Sequence, residues 1–167
     1  PPLSPAMANS SGGPDAACAV AFGDHNIVQP KKSDKAPVPV VVYFRGARET
    51  GATVTRNREM MKPFLGRGYA VIASNSLGRE GHKGGFWSFI PGRPNLRNKL
   101  TFTHQVLDDT VAKFGIDRDQ LLLTGFSIGG SLTWYLACQT PTDLAAYSKT
   151  AESFWRPHPT VCSGPIK

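Results

Sequence analysis

The amino-acid sequence predicts an α/β fold built on a doubly wound, mostly parallel sheet. The segments 38–44 and 69–74 are almost continuously apolar and rich in β-branched residues, as strands buried on both faces are. Between Leu100 and Phe114, apolar residues recur at helical spacing. Strands that alternate with helices in this way are typical of a parallel sheet covered by helices on both faces.

Local patterns predict the remaining elements. Residues 17–29 suit two short strands, and residues 56–65 suit a helix that is strained or ended near Pro63. The polar run 117–119 predicts a turn into the next strand. A last strand is expected over residues 145–151, so the sheet should end after about its sixth strand.

The composition excludes some classes of partner. The chain has 167 residues with 19 Lys and Arg against 12 Asp and Glu, a formal net charge of +7. Basic residues are scattered and only Lys31 and Lys32 are adjacent, so nucleic-acid binding is not expected. No apolar run approaches the ~20 residues of a membrane span. No C-x-x-C motif is present, so a zinc or redox site is not expected.

The strongest functional signal is the motif Gly125-Phe126-Ser127-Ile128-Gly129. Three leucines and Thr124 precede it, and a helix-compatible stretch follows Ser127 through Leu136. A strand, a sharp turn with the pattern G-x-S-x-G and a helix together form the nucleophile elbow of an α/β-hydrolase. The motif therefore predicts that the Ser127 hydroxyl attacks carbonyl carbon once a base removes its proton.

The same turn predicts an oxyanion hole. The N–H of Ile128 opens a helix, where unpaired N–H groups and the helix dipole favour an anion. A second donor should come from the loop after the first long strand. That loop is Arg45-Gly46-Ala47, and the N–H of Ala47 is the predicted donor.

The acid and base of a catalytic triad are harder to assign. Chain order in this fold is serine, then acid, then histidine. Glu152 and His158 keep that order and are one candidate pair, the alternative being that both are polar surface residues. The three other histidines all precede Ser127 and suit surface or structural roles; they are His25, His82 and His104.

With these motifs in view, the chain resembles the polyhydroxybutyrate depolymerase and feruloyl esterase family of secreted α/β-hydrolases over residues 17–167. The stretches that carry the resemblance are Val41–Gly46, Gly85–Phe89, Val106–Asp109, Phe114–Asp119, Thr124–Gly130, Trp134–Cys138 and Phe154–Pro157. The resemblance implies a secreted or periplasmic esterase without a cofactor. Its implied substrates are polyester oligomers or aromatic acid esters.

Two departures from that family matter. Arg45 stands where the family usually has His, so it is expected to crowd or recharge the oxyanion loop or to hold an anionic group. The family also continues beyond the point where this chain ends, and its catalytic Asp and His lie there. Residues 17–167 are therefore expected to be an α/β-hydrolase domain that is incomplete at its C-terminus, preceded by a flexible arm at residues 1–16.

Aromatic residues and cysteines give further expectations. Trp155, Phe154 and Trp87 are predicted to line an ester pocket, the alternative being packing in a lid or the core. A disulfide between Cys138 and Cys162 is expected, the alternative being buried thiols.

An incomplete triad and an unpaired sheet edge predict a weak esterase that self-associates through that edge. The alternative function is a non-catalytic homologue that keeps the pocket and binds esters or glycans.

Overall fold

The computed structural model consists of a six-stranded sheet with helices on both faces. The structure describes residues 17–31, 37–77, 87, 97–140, 146–148, 150–151, 154 and 158–165. The strands are β1 (Cys18–Val20), β2 (Gly23–Val28), β3 (Val38–Phe44), β4 (Ala70–Ser74), β5 (Ile116–Gly125) and β6 (Ala146–Tyr147). The helices are α1 (Gly51–Arg56), α2 (Arg58–Leu65), α3 (Lys99–Phe114) and α4 (Ile128–Gln139).

The strands lie in the order β1-β2-β4-β3-β5-β6. Strand β3 pairs in parallel with β4 and β5, and β5 pairs in parallel with β6. Strand β2 runs antiparallel to both of its neighbours, β1 in a hairpin and β4 on its other side. The predicted doubly wound, mostly parallel sheet is thus confirmed.

Strand β3 has hydrophobic packing on both of its faces. Val40 and Val42 point into one core cluster together with residues of α3 and α4. Val41, between them, points into a second cluster with residues of α1 and α2. Successive side chains of a strand alternate between the faces, so burial on both sides accounts for the unbroken apolar run in the sequence.

The predicted helix over residues 56–65 is present as α2, which begins two residues later than predicted. A further short helix, α1, precedes it, and the two are separate because Asn57, with φ −74° and ψ 91°, leaves the helical conformation. Its side-chain oxygen accepts from the N–H of Met60 at 3.2 Å and so caps the start of α2. Pro63 lies inside α2 and does not end it.

The predicted turn at residues 117–119 lies instead within β5. The register with β3 shifts there, because Pro39 faces Asp117 whereas the next residue, Val40, faces Leu121. The polar run is a bulge in the strand, and its side chains are largely exposed.

The region after α4 is held to the domain by a disulfide. Cys138 and Cys162 are bonded as expected, with their Cα atoms 4.5 Å apart. The N–H of Ser163 also donates to the carbonyl of Cys138 at 2.9 Å. Strand β6 is shorter than predicted, although Thr150 forms one further parallel bridge with Phe126.

Helix α3 is the longest helix of the described residues, with 16 residues and several charged side chains. No helix in this part of the chain is long and apolar enough to cross a bilayer. Residues 1–16, for which a flexible arm is predicted, lie outside the described residues.

Candidate active site

The predicted nucleophile lies at the carboxyl ends of two central strands. In the paired register, Phe44 at the end of β3 faces Gly125 at the end of β5. The N–H of Phe126 donates to the Phe44 carbonyl at 3.2 Å, which holds the two strand ends together. The loop after β3 and the turn after β5 are therefore neighbours, as an oxyanion hole requires.

Ser127 has a strained backbone at the junction of β5 and α4. Its φ of 52° and ψ of −130° are unusual for a residue with a side chain, and α4 starts at the next residue. The Ser127 N–H donates to the carbonyl of Thr150 at 3.2 Å. Such strain is characteristic of functional turns, and here it is the conformation of a nucleophile elbow.

The glycines of the motif are required by close backbone approach. A Cβ at Gly125 would lie 2.4 Å from the carbonyl oxygen of Gly129. A Cβ at Gly129 would lie 2.0 Å from the carbonyl oxygen of Phe44. Both distances are far below van der Waals contact, so α4 can pack on the end of β3 only with glycine at these positions.

The two predicted oxyanion donors lie on adjacent segments. Ile128 is the first residue of α4, and an N–H in the first turn of a helix has no partner within the helix. The loop with Ala47 packs against the elbow, since a Cβ at Gly46 would lie 3.4 Å from the Phe126 ring. The Gly46 N–H itself donates to Glu49 Oε2 at 2.8 Å. The N–H of Ala47 stays the predicted second donor.

Arg45 is turned into the protein rather than toward the elbow. It is fully buried, and its guanidinium donates to the Gly46 carbonyl at 2.6 Å and to the Ser76 hydroxyl. Burial lowers the pKa of Arg45 to about 10, although the nearby Glu49 carboxylate acts in the opposite direction. The side chain therefore stays charged at neutral pH and ties the loop after β3 to the loop after β4.

The structure corrects the prediction that Trp87 contacts substrate. Trp87 is 1% exposed and lies in the main core cluster. Its ring nitrogen donates to the Arg45 carbonyl at 3.0 Å, and its ring meets Phe44 edge-on at 5.5 Å. Trp87 supports the loop after β3 from inside because its large ring fills the core there.

Phe154, also predicted to bind substrate, packs on α4. Its ring lies 5.5 Å from that of Trp134 and 5.1 Å from that of Tyr135. These residues are two turns into α4, roughly 10 Å along the helix from Ser127. Trp155, the third predicted pocket residue, lies outside the described residues.

The described part of the chain does not bring His158, the candidate base, to the serine. His158 is exposed and Glu152 lies outside the described residues. No hydrogen bond joins the Ser127 hydroxyl to an imidazole among the described residues. Two other histidines lie elsewhere, His25 within β2 and His104 on α3, and His82 is outside the described residues.

Two residues that shape the site were not predicted from the sequence. Glu49 fixes the Gly46 N–H, and Thr150 accepts from Ser127 and donates to the Gly125 carbonyl at 3.0 Å. Neither belongs to a motif. Glu49 acts through its carboxylate within the loop after β3, and Thr150 acts through backbone groups that any residue type carries.

Comparison with known families agrees with this geometry. A family model described as X-Pro dipeptidyl-peptidase (S15 family) matches residues 24–158. A protein of Escherichia coli (strain K12), named as a candidate carboxymethylenebutenolidase, is 31% identical over 123 residues. That match covers 71% of this chain and 44% of the relative.

Two solved structures show the same fold. Acetyl xylan esterase from Aspergillus awamori matches with a TM-score of 0.61 at 22% identity, over 80% of this chain and 51% of that one. An S-formylglutathione hydrolase from Agrobacterium tumefaciens matches with a TM-score of 0.63 at 18% identity, over 84% and 53%. The chain thus spans about half the length of these proteins.

These matches support an α/β-hydrolase family in general and not the polyhydroxybutyrate depolymerase and feruloyl esterase family in particular. The family match covers most of the chain, including the elbow and the loop after β3. The chain belongs to the S15 family, described as X-Pro dipeptidyl-peptidase, and has an α/β-hydrolase fold.

Proposed function

We propose that this chain carries the nucleophile of a serine carboxylic-ester hydrolase, which acts through an acyl-enzyme on Ser127. One observation carries the proposal, namely the strained φ of 52° at a serine between a buried strand and a helix. This conformation is costly, and the contacts of Gly125 and Gly129 maintain it. A serine with a purely structural role would not need it.

The mechanism follows from the geometry of the elbow. The Ser127 oxygen attacks the ester carbonyl as its proton passes to a base, and the carbonyl oxygen becomes an oxyanion. The N–H groups of Ile128 and Ala47 donate to that oxyanion. Collapse of the tetrahedral intermediate expels the alcohol, which takes the proton, and water then releases the acid from Ser127. Loss of one such donor costs about 10²–10³ in kcat.

Glu152 and His158 are the candidate acid and base within this chain. The matches to this chain cover about half the length of the relatives named above. Without an acid and base, a triad enzyme keeps only about 10³–10⁴-fold acceleration over water. We therefore expect residues 1–167 to react covalently at Ser127 and to turn over slowly.

The substrate proposal is an ester rather than a peptide. Two neighbours of the same fold are named for an acetyl ester and a thioester, and the E. coli relative is named for a lactone. The resemblance to feruloyl esterases and polyhydroxybutyrate depolymerases favours an aromatic acid ester or a polyester oligomer. The disulfide favours a secreted or periplasmic location, where thiols oxidise.

A fluorophosphonate probe tests the nucleophile directly. Wild type should be labelled at Ser127, and Ser127→Ala should abolish labelling. Ser148→Ala is the matched control, because Ser148 is exposed and follows β6 outside the elbow. Absence of labelling in a folded wild type would overturn the proposal and favour the non-catalytic binding homologue.

A substrate panel then tests the ester class. p-Nitrophenyl acetate, methyl ferulate, a hydroxybutyrate oligomer and an X-Pro p-nitroanilide should be compared with and without Ser127→Ala. Ser127-dependent cleavage of the esters is expected, and preference for the anilide would replace the ester by a peptide substrate. A loss of ester turnover in His158→Ala would identify His158 as the base.

A further inference from the structure

Three side chains that can bind a metal ion meet where the β1–β2 hairpin forms one edge of the sheet. In the strand order, this edge is separated from β5 and the elbow by β4 and β3. Cys18 on β1 and His25 on β2 are direct partners across the hairpin. Asp109 on α3 approaches the same face of the sheet. The cysteine sulfur, an imidazole nitrogen and a carboxylate oxygen all lie within 4.8 Å of one another.

His25 is a buried polar side chain, and no hydrogen bond among the described residues accounts for its burial. It is 0% exposed, and neither ring nitrogen has a hydrogen-bond partner among the described residues. Asp109 Oδ2 likewise has no hydrogen-bond partner there, and lies 3.6 Å from His25 Nε2. A buried polar group without a partner loses its hydrogen bonds to water and gains none in return, so such a group calls for an explanation.

His25 is also held in its neutral form. Burial lowers the pKa of His25 to about 4, while the Asp109 carboxylate opposes this and Lys113 adds to it. The contact between His25 and Asp109 is therefore not an ion pair at neutral pH. A neutral imidazole keeps a nitrogen lone pair, which is what a metal ion binds.

We propose that Cys18, His25 and Asp109 form a binding site for a divalent transition metal, with Zn²⁺ as the ion. Thiolate, imidazole and carboxylate together are the ligands that zinc takes in proteins. Hard ions such as Mg²⁺ prefer oxygen ligands and do not suit a sulfur and nitrogen site. No motif in the sequence predicts this site, because its ligands come from three separate elements, β1, β2 and α3.

The geometry needs only a small adjustment. Zn–S of about 2.3 Å and Zn–N of about 2.0 Å put tetrahedral ligand atoms roughly 3.5 Å apart. His25 Nε2 and Asp109 Oδ2 are already at 3.6 Å, so the sulfur makes most of the approach. The fourth position is left to water, which reaches the site past the partly exposed Asp109 side chain.

The charges balance when the metal binds. The Cys18 thiol loses its proton to solvent, and the thiolate and carboxylate then neutralise the two charges of Zn²⁺. Lys113 Nζ lies 2.6 Å from Asp109 Oδ1 and leaves Oδ2 for the metal. Because this ammonium repels a second cation, Lys113→Met should tighten zinc binding several-fold.

Metal content and cobalt spectroscopy test the site. The purified chain, stripped with chelator and dialysed against Zn²⁺, should retain about one zinc ion per molecule. His25→Gln and Asp109→Asn should each lose it. His104→Gln and Asp108→Asn are matched controls on α3, because both side chains face Arg118 and not the cluster. Bound Co²⁺ should show a thiolate-to-metal charge-transfer band, which reports Cys18 because the other two cysteines are in the disulfide.

Two outcomes would overturn the proposal. One is a wild-type chain, folded by circular dichroism, that retains no zinc and gives no cobalt–thiolate band. The other is a His25→Gln chain that retains zinc as the wild type does. If the ligand variants fail to fold, wild type decides, since Zn²⁺ but not Mg²⁺ should then raise its melting temperature and EDTA should reverse the rise.

Discussion

The elbow and the hairpin edge are built by different means, although both belong to one sheet. At the elbow, the carboxyl ends of β3 and β5 and the start of α4 meet through backbone atoms, and side chains are excluded at Gly125 and Gly129. At the hairpin edge, where β1 and β2 pack against α3, polar side chains fill the interior, among them His25 and Asp109.

The difference explains which of these regions can be recognised in a sequence. A site made of backbone contacts restricts residue type at fixed spacing, so it appears as a motif. A site made of side chains from β1, β2 and α3 has no fixed spacing, because the intervening segments can vary in length. The stability of the elbow should therefore depend on its close backbone contacts, and that of the hairpin edge on its buried side chains.

The largest effect is expected from Gly129→Ala at the elbow. The new Cβ would lie 2.0 Å from the Phe44 carbonyl oxygen and 2.5 Å from that of Arg45. We expect a loss of roughly 3 kcal/mol or more of the free energy of unfolding, together with loss of fluorophosphonate labelling. Urea denaturation measures the first and the probe measures the second.

Gly115→Ala is the control for that substitution. Gly115 has φ 63°, and a Cβ there would meet nothing within 4 Å. Gly115→Ala should lower the free energy of unfolding by only about 1 kcal/mol, the strain of placing a residue with a side chain in the left-handed conformation. Equal losses in the two variants would mean that close backbone approach at the elbow has no special cost.

The disulfide should give the next largest effect. Cys138 and Cys162 are 24 residues apart, and closing such a loop restricts the unfolded chain. The double variant Cys138→Ala, Cys162→Ala should lose about 3 kcal/mol of stability. Thermal unfolding with and without dithiothreitol measures this, and the reductant should leave the variant unchanged. A melting temperature equal to that of wild type would show that other contacts of Cys138 hold the end of α4.

Lys99, on the hairpin side at the start of α3, gives a pH-dependent effect. Its ammonium is buried and donates to the Arg97 carbonyl at 2.8 Å. Burial and the neighbouring Arg97 lower the pKa of Lys99 from 10.5 to about 8. Between these values the unfolded chain binds more protons than the folded chain, so stability should rise with pH by up to about 3 kcal/mol.

Lys99→Met tests that rise. Urea denaturation at pH 7 and pH 10.5 should show wild type gaining stability relative to the variant as the pH increases. Lys99→Arg is the control, since a guanidinium keeps its proton to a higher pH than an ammonium and should show a smaller rise. Parallel pH profiles for wild type and Lys99→Met would show that the buried charge at this edge costs little.

The smallest effect is expected at the cap of α3. The Asn98 side chain accepts a hydrogen bond from the N–H of Thr101 at 3.0 Å and so satisfies one of the unpaired N–H groups in the first turn of α3. Asn98→Ala should cost about 1 kcal/mol and Asn98→Asp much less, as measured by urea denaturation. A larger loss would show that the hairpin edge depends on the position of α3 more than on its buried side chains.

Much of the fold could be predicted because periodicity reflects burial directly. Strands β3 and β4 and helices α3 and α4 lie close to the predicted ranges, since each has one or two clearly apolar faces. Helix α1 was missed, and its first residue is a glycine at the end of a polar loop. The break at Asn57 depends on a side-chain cap, which competes with the helix only in this backbone geometry.

The candidate site likewise contains residues whose place could be predicted from the sequence and residues whose place could not. Ser127 and the glycines could be predicted, since their motif encodes the turn. The inward direction of the Arg45 side chain could not be predicted. A guanidinium is expected in solvent unless an interior group, such as the Ser76 hydroxyl, accepts a hydrogen bond from it. The same holds for Trp87, whose burial follows from its hydrogen bond to the Arg45 carbonyl and its contact with Phe44.

The hydrogen bond between the Ser127 N–H and the Thr150 carbonyl has a consequence for synthesis on the ribosome. The elbow emerges before the segment that holds it, so Ser127 leaves the ribosome with no acceptor for its amide. Its strained conformation gains this hydrogen bond only when Thr150 has followed and formed its bridge with Phe126. The nascent chain should therefore be less reactive toward acylating compounds until this later segment has folded.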